Sequence, residues 1–442
     1  MESPHIIEGV CNTNYYDQIT ETLNIALDEK NTAPYKRKAS DFVRVRVFTI
    51  KNLVVFIMTL QRAIQREADD FIAQIREPGS SLSRVSKAAF SKARKKLKHT
   101  VFIEITHRVL EVFYKQAPFR RYWKGFRLLA SDGRTAEVPN SEEIQKAWGV
   151  FKYREDGKAI CMARLSQLYD PLNHTTLDAC IDSINTSEQE LLWRHLEEVK
   201  PGADDLLIFD RLYASFLLIF YLNKLGTQYC FRMKEQWWKV VETFYKSGLD
   251  NSHITLTLPK KDLEKAKELG ITTTSVTCRL VRVKLDNGTT EILLSSLLDE
   301  QLYTIEDHKE LYGLRWGVET QYRNMKHKVC IENFSGKSLL SVYQDFHAKV
   351  CMLNLTAVLV HPVDEVLKDE PKETYTHQVN FTEALSKMKW APIALFIKQQ
   401  GMKIIRELLT WFYNTTEPIR KGRKFNRPKL TKRKFHMNYK PL

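Results

Sequence analysis

The segment Asp205–Met233, DLLIFDRLYASFLLIFYLNKLGTQYCFRM, decides the architecture. Asp205–Phe209 is a short apolar run ending on Asp210, the pattern of a buried strand. The span Tyr213–Lys224 is long enough and apolar enough for a helix, and Gln228–Met233 reads as the next strand.

Working outward, the N-terminal side supplies three more strands and a helix. Phe126–Ser131 (FRLLAS) is a buried run that stops at Asp132-Gly133. Ile160–Tyr169 and Thr175–Ile181 flank Asp170-Pro171-Leu172-Asn173-His174, whose turn residues predict a hairpin. Thr186–Glu198 is helical, with Thr186 or Ser187 as its cap. Three strands, helix, strand, helix, strand is the order of a ribonuclease-H-like α/β core, in which acids sit at the ends of adjacent central strands. Asp132 and Asp210 occupy such ends. Alone, Asp132 reads as a turn residue before Gly133, and Asp210 as a strand-end cap or a partner for Arg211.

On the C-terminal side, Ile254–Leu258 and Ser275–Ser296 are strand-like, the latter folded about Asp286-Asn287-Gly288, where Asn-Gly predicts a two-residue hairpin. A mostly β insertion from about 235 to 299 therefore separates the fifth strand from the stretch Leu311–Lys328, LYGLRWGVETQYRNMKHK. That stretch is expected to be one helix, with Leu311, Val318, Tyr322, Met325 and Val329 as its apolar stripe. At about 100° per residue, Tyr312, Arg315, Glu319 and Lys326 fall within about 60° of one another. Mixed charges of this kind are most often a solvated, salt-bridged face. A sharper reading requires carboxylates from elsewhere: if Asp132 and Asp210 converge on Glu319, the oxygen set suits two Mg²⁺ (or Mn²⁺) ions. Arg315 and Lys326 would then clamp phosphates and Tyr312 would contact DNA. Downstream, Tyr343–Val360 is an apolar helix, and Phe381–Tyr413 is helical with a break near Ala391-Pro392.

The 442 residues carry a net charge of +15, with 43% hydrophobic and 27% charged residues, so the chain is globular, large enough for two or three domains, and basic. Two segments hold the excess. Ser83–Thr100 has seven cations and no acid, and Arg420–Leu442 has ten and no acid. Together they exceed the whole net charge by two, so the remainder is slightly acidic. Charge concentrated in this way points to a polyanion, nucleic acid, ahead of the alternative of a solubilising tail. Ser86–Leu97 (SKAAFSKARKKL) reads as a basic helix with Ala88, Ala89, Ala93 and Leu97 inward and Lys92, Arg94 and Lys95 available to DNA. Helices on either side of it resemble a helix-turn-helix-like unit. Met1–Ala39 is polar and weakly patterned. The seven cysteines are odd in number and widely spaced without Cys-x-x-Cys, which argues for a reducing cytosol and against a disulfide framework or structural zinc site. No signal peptide or membrane-spanning segment is expected; the run Leu206–Leu225 contains Asp210 and Arg211.

The spacing Tyr312-x2-Arg315-x3-Glu319-x6-Lys326 resembles the Y-R-E-K signature of DDE transposases of the IS-four family of bacterial insertion sequences. Glu332-Asn333-Phe334-Ser335-Gly336 resembles its usual continuation. Ser131-Asp132-Gly133 with Val138-Pro139 looks like the first catalytic region of that family, and Phe209–Ser215 like the second. Arg134 and Leu212 depart from the pattern, standing where a small residue and Gly are common. The resemblance covers roughly residues 40–427. It implies a helical DNA-binding domain over 1–117, a catalytic core over 118–360, and a C-terminal helical region with a basic tail over 361–442. It implies further that Asp132, Asp210 and Glu319 hold two Mg²⁺ ions, with phosphate contacts from Tyr312, Arg315 and Lys326. The implied reaction is cut-and-paste transposition in the bacterial cytoplasm by a homodimer on paired inverted-repeat ends, through a DNA hairpin to joining with target DNA. Trp316, or Trp237 and Trp238, are candidates to stack on a flipped base, although indole rings more often pack in cores. A catalytically silent DNA-binding derivative and a ribonuclease-H-like nuclease are the rival readings.

Overall fold

The computed structural model describes residues 14–44, 47–76, 85–117, 119–151, 159–286, 288–369 and 375–420. The chain forms two compact units. One comprises Arg121–Thr135 and Arg164–Arg323; the other comprises Met1–Arg120, Ala136–Ala163 and Asn324–Leu442.

The first unit is organised by strands β1 (Arg127–Val138), β2 (Cys161–Asp170), β3 (Thr175–Ser183), β4 (Asp205–Phe209), β5 (Gln228–Met233), β6 (Asn251–Thr257), β7 (Ser275–Lys284) and β8 (Thr290–Ser295). They make one sheet in the order β3-β2-β1-β4-β5-β8-β7-β6. β1, β4 and β5 are mutually parallel, as a strand–helix–strand connection through Phe216–Leu225 requires. Apolar β4 is buried at every position because it lies in mid-sheet. Its register against β1 is pinned at the strand start, where the Arg127 guanidinium grips Asp205 through two hydrogen bonds of 2.6 and 3.0 Å.

Two differences from the sequence expectation stand out. β1 runs through Asp132 and Gly133 to Val138 instead of turning there, so Asp132 is an in-strand residue. The insertion also extends the central sheet, since β8 pairs antiparallel with β5 from Cys230↔Ser295 to Met233↔Ile292. An unpaired β5 edge would expose its backbone groups, and β8 covers them. The β7–β8 register closes at Lys284↔Thr290, leaving a loop longer than two residues, and Asn287 lies outside the described residues.

In the second unit the described N-terminal and C-terminal helices share one hydrophobic core. It draws on Asn14–Ala26, Ile50–Thr59, Ile64–Ile75, Thr100–Gln116, Leu339–Asp369, Phe381–Met388 and Gly401–Asn414. The segments before 120 and after 324 bury their apolar faces against each other. The polar opening stretch contributes a packed helix, with Tyr15 and Tyr16 donating to the carbonyls of Val358 and Leu359. Leu339–Lys368 is long and apolar enough to cross a membrane, yet 83% of its apolar window is buried within the fold, as expected of a core helix. The expected helix over Phe381–Tyr413 is broken by a π-helical turn at Ile393–Ile397.

Candidate active site

The register of β1 on β4 aligns Arg127 with Asp205 and Ala130 with Ile208. The ladder ends there; Asp132 and Asp210 each lie two residues beyond the last pair. Asp210 caps the 3-10 turn Arg211–Tyr213, its Oδ1 accepting from the Arg211 N–H at 2.7 Å. Leu212 fits this turn without glycine.

Glu319 arrives on a different element. The single helix expected over Leu311–Lys328 is two helices, Ile305–Leu314 and Trp316–His327, joined at Arg315. The break has local causes. Gly313 is a weak helix former, and the joint is tightened by i→i+3 bonds from Arg315 N to Tyr312 O and from Val318 N to Arg315 O. Gly317 then passes so close to Pro171 that a Cβ there would sit 2.6 Å from the proline Cβ. Leu311 and Tyr312 pack on Leu128, Leu206 and Ile208 of the sheet. Val318, Tyr322 and Met325 are buried as expected, and the Tyr322 hydroxyl donates to the Asp132 carbonyl at 2.6 Å.

Arg315 is the common neighbour of the acids. Its buried guanidinium donates to Glu319 Oε1 at 3.1 Å, and its charge interacts with Tyr312, Asp210, Asp132 and Glu319. Those neighbours hold the guanidinium pKa above its usual value against the opposing effect of burial. The guanidinium lies 5.6 Å from the ring centres of both Tyr312 and Trp316. Burial raises the Asp132 carboxyl to about 6; Arg315 opposes that rise and Glu188 adds to it. Arg315 Nε and Tyr312 Oη are both buried without a hydrogen-bond partner, a costly arrangement unless something else satisfies them. The Asp132, Asp210 and Glu319 oxygens do not all lie within 4.8 Å of one another; among the described residues only Asp178, Cys180 and His195 meet that spacing.

A fourth carboxylate, Glu188, stands beside these acids without a sign in the sequence pattern. It opens the helix Glu188–Val199, capped by Ser187, and accepts from Arg164 at 2.7 Å. Gly133 makes room for it: a Cβ at that position would stand 2.3 Å from Glu188 Cδ. In sequence it looks like any acid in a first helical turn. The one available signal is the glycine beside Asp132.

Lys326, further along the second helix, is exposed and paired with Glu332 at 3.1 Å. Trp316 and Trp237 are about half exposed, so core packing does not account for them; Trp238 stacks on Phe216 at 4.2 Å.

The N-terminal basic helix spans Lys87–Arg94 and differs from expectation in its buried face. Phe90 and Arg94 point inward, while Ala88 and Ala89 are exposed. Phe90 wins because it packs on Phe48 and Phe56, at 5.8 and 5.0 Å between ring centres. Arg94 is therefore not a surface contact for DNA. It is buried and bonded to Gln344, Ser335, the Ser341 carbonyl and Asp345. Lys92 and Lys95 remain exposed. The tail after Arg420 lies outside the described residues.

The family model described as Transposase DDE domain matches residues 123–355, more than half of the chain and every acid named above. The chain belongs to the DDE transposases of the IS4 family. Among curated relatives it is similar to the transposase InsG for insertion sequence element IS4 of Escherichia coli (strain K12), at 23% identity over 78% of this chain and 76% of that protein. Among solved structures it matches the piggyBac transposase in a synaptic complex with hairpin DNA, at 10% identity and a TM-score of 0.44, over 90% of this chain and 81% of that one.

Proposed function

We propose that this transposase binds the inverted-repeat ends of its insertion sequence, cuts phosphodiesters there and joins the freed 3′-OH ends to target DNA. The observation that carries the reading is the setting of Arg315, a buried cation in electrostatic contact with Asp132, Asp210 and Glu319. This supports reading the three acids, two beside parallel strands and one on a distant helix, as one group about a positive charge. The strand order β3-β2-β1-β4-β5, with β1, β4 and β5 parallel, supports a ribonuclease-H-like core.

The donor set fits hard divalent cations, being all carboxylate oxygen. When bound by Asp132, Asp210 and Glu319, two Mg²⁺ ions would polarise the attacking water and stabilise the leaving oxygen. The three acids do not all lie within 4.8 Å of one another, so in this reading they hold the two ions between them and not one ion in common. The unsatisfied Nε of Arg315 and the Tyr312 hydroxyl are donors ready for phosphate oxygens. In the cut, a water oxygen forms the new bond to phosphorus, the bond to the 3′ oxygen breaks, and that oxygen takes up a proton. Strand joining repeats the displacement with the 3′-OH as nucleophile. Lys326 adds a phosphate contact, exchanging Glu332 for DNA, and Lys92, Lys95 and the basic tail hold the duplex. Action as a homodimer on paired ends and a place in the bacterial cytoplasm on the nucleoid follow from the same reading.

The test is nicking of a duplex carrying the element's end, with Mg²⁺ and with chelator. Glu319→Gln should bind this duplex as wild type does and fail to cut it. Cutting by Glu319→Gln at wild-type rate would overturn the assignment. Cutting without joining would make the protein a nuclease, and binding without cutting by the wild type a silent derivative.

A further inference from the structure

A second cluster of ligand-type side chains lies on the same sheet, apart from the acids around Arg315. Asp178 and Cys180, two residues apart on β3, share one face of the strand. His195, wholly buried, reaches them from the helix Glu188–Val199. His195 Nδ1 lies 2.6 Å from Asp178 Oδ2 and 3.9 Å from Cys180 Sγ, and Cys180 Sγ is 3.9 Å from Asp178 Oδ2. Behind the imidazole, Nε2 is 2.9 Å from Ser166 Oγ on β2.

We propose that Asp178, Cys180 and His195 form a site for one zinc-class divalent ion, held by Oδ2, Sγ and Nδ1 with water in a fourth position. Sulfur, nitrogen and oxygen donors together select Zn²⁺ or its analogue Co²⁺ and reject Mg²⁺, which prefers oxygen. The site is therefore chemically distinct from the carboxylates of the proposed reaction, and it does not depend on that reading. Binding the ion displaces the Cys180 thiol proton and leaves a thiolate ligand. The second partner of the histidine is already in place: with metal on Nδ1, Nε2–H donates to Ser166 Oγ and fixes the ring.

Bond lengths of about 2.0 Å to N and O and 2.3 Å to S place tetrahedral donors about 3.3–3.6 Å apart. The Nδ1–Oδ2 pair must open by about 0.7 Å and the sulfur approach by about 0.3 Å, shifts within reach of rotating side chains. Asp178 and Cys180 are only partly buried, which leaves an access route from solvent. The competing account is a metal-free brace in which His195 simply bridges Asp178 and Ser166 by hydrogen bonds. Either way the cluster ties β3 to the helix whose first residue, Glu188, stands beside Asp132. An ion would stiffen that tie.

Full-length protein stripped with chelator and titrated with Co²⁺ alone, without DNA or Mg²⁺, tests the proposal. One equivalent should produce a thiolate-to-cobalt charge-transfer band in the near ultraviolet, lost on adding Zn²⁺. Cys180→Ser should lose the band while keeping the metal-free Tm of wild type; Asp178→Asn, which keeps the hydrogen bond to His195, should weaken Co²⁺ binding at least tenfold. Glu319→Gln should keep the band. Absence of the band in wild type, or its survival in Cys180→Ser through another thiol such as exposed Cys330, overturns the proposal. So does a Co²⁺-induced rise in Tm without the band, because oxygen ligands alone would produce it.

Discussion

Arg315 Nη2 donates to Glu319 Oε1 across 3.1 Å, one turn along the helix, with the arginine side chain 5% and the glutamate side chain 23% exposed. The pair does more than stabilise a helix. The Arg315 charge also interacts with Asp210 and Asp132. Arg315→Ala should therefore destabilise the metal-free protein and lower its Tm, at a cost below the ~3–5 kcal/mol typical of breaking a fully buried pair, since Glu319 is partly solvated. Mg²⁺ should restore more Tm in this variant than in wild type. Thermal scans at several Mg²⁺ concentrations check both signs, and DNA cutting should be abolished because the phosphate clamp is gone.

Asp132 offers a test by pH. Burial raises its folded pKa to about 6, above the ordinary carboxylate value. A raised acid pKa means that the native state holds the proton longer than the unfolded chain does, so this group's contribution to stability falls as pH rises from about 4 to 6. Asp132→Asn removes that burden. It should raise Tm at pH 7, with the gain shrinking as the pH approaches 4, while abolishing cutting. Wild-type cutting should decline as pH falls through about 6, where the carboxylate needed by the metal becomes protonated.

The inward turn of Arg94 separates two cations that stand two residues apart. Arg94→Ala removes the cation beside buried Asp345, which keeps its bonds from Ser335, and should cost up to about 3–5 kcal/mol of stability in denaturant titration. Lys92→Ala should change stability by no more than about 0.5 kcal/mol and reduce DNA affinity. A destabilised Lys92→Ala, or a wild-type-like Arg94→Ala, would contradict these placements.

The basic tail is tested through salt. Removal of residues 420–442 takes away ten cations and no acid. Affinity for duplex DNA should fall, and the dependence of log K on log salt should flatten by about 0.9 for each DNA phosphate that the shortened chain no longer neutralises. A slope unchanged by the truncation would show that the tail does not touch DNA.

Much of the core was legible because its strands are short apolar runs with little alternative. β4 and β5 fall where their hydrophobic runs place them, and Asp210 is readable as the end of one of them. The joint at Arg315 was legible only in part: Gly313 is a local signal, whereas the Gly317–Pro171 approach joins residues almost 150 positions apart. Nor was the inward face of Lys87–Arg94, because the packing of the Phe90 ring on Phe48 and Phe56 outweighs the alanine pattern. Glu188 stayed hidden for the same reason: its nearness to Asp132 is created by the fold, not by spacing.

By itself the sequence determined which residues carry charge, which runs must be buried, and the Tyr-Arg-Glu-Lys spacing that marks the family. Hydrophobicity and helical or strand period are local properties, and the chain states them directly. Tertiary structure alone decided that β1 pairs with β4, that Arg315 interacts with Asp132, Asp210 and Glu319 while Arg94 is sealed inside, and that Asp178, Cys180 and His195 meet. Those outcomes depend on strand pairing and packing between distant segments, where the energy belongs to pairs of residues and cannot be read from either member alone.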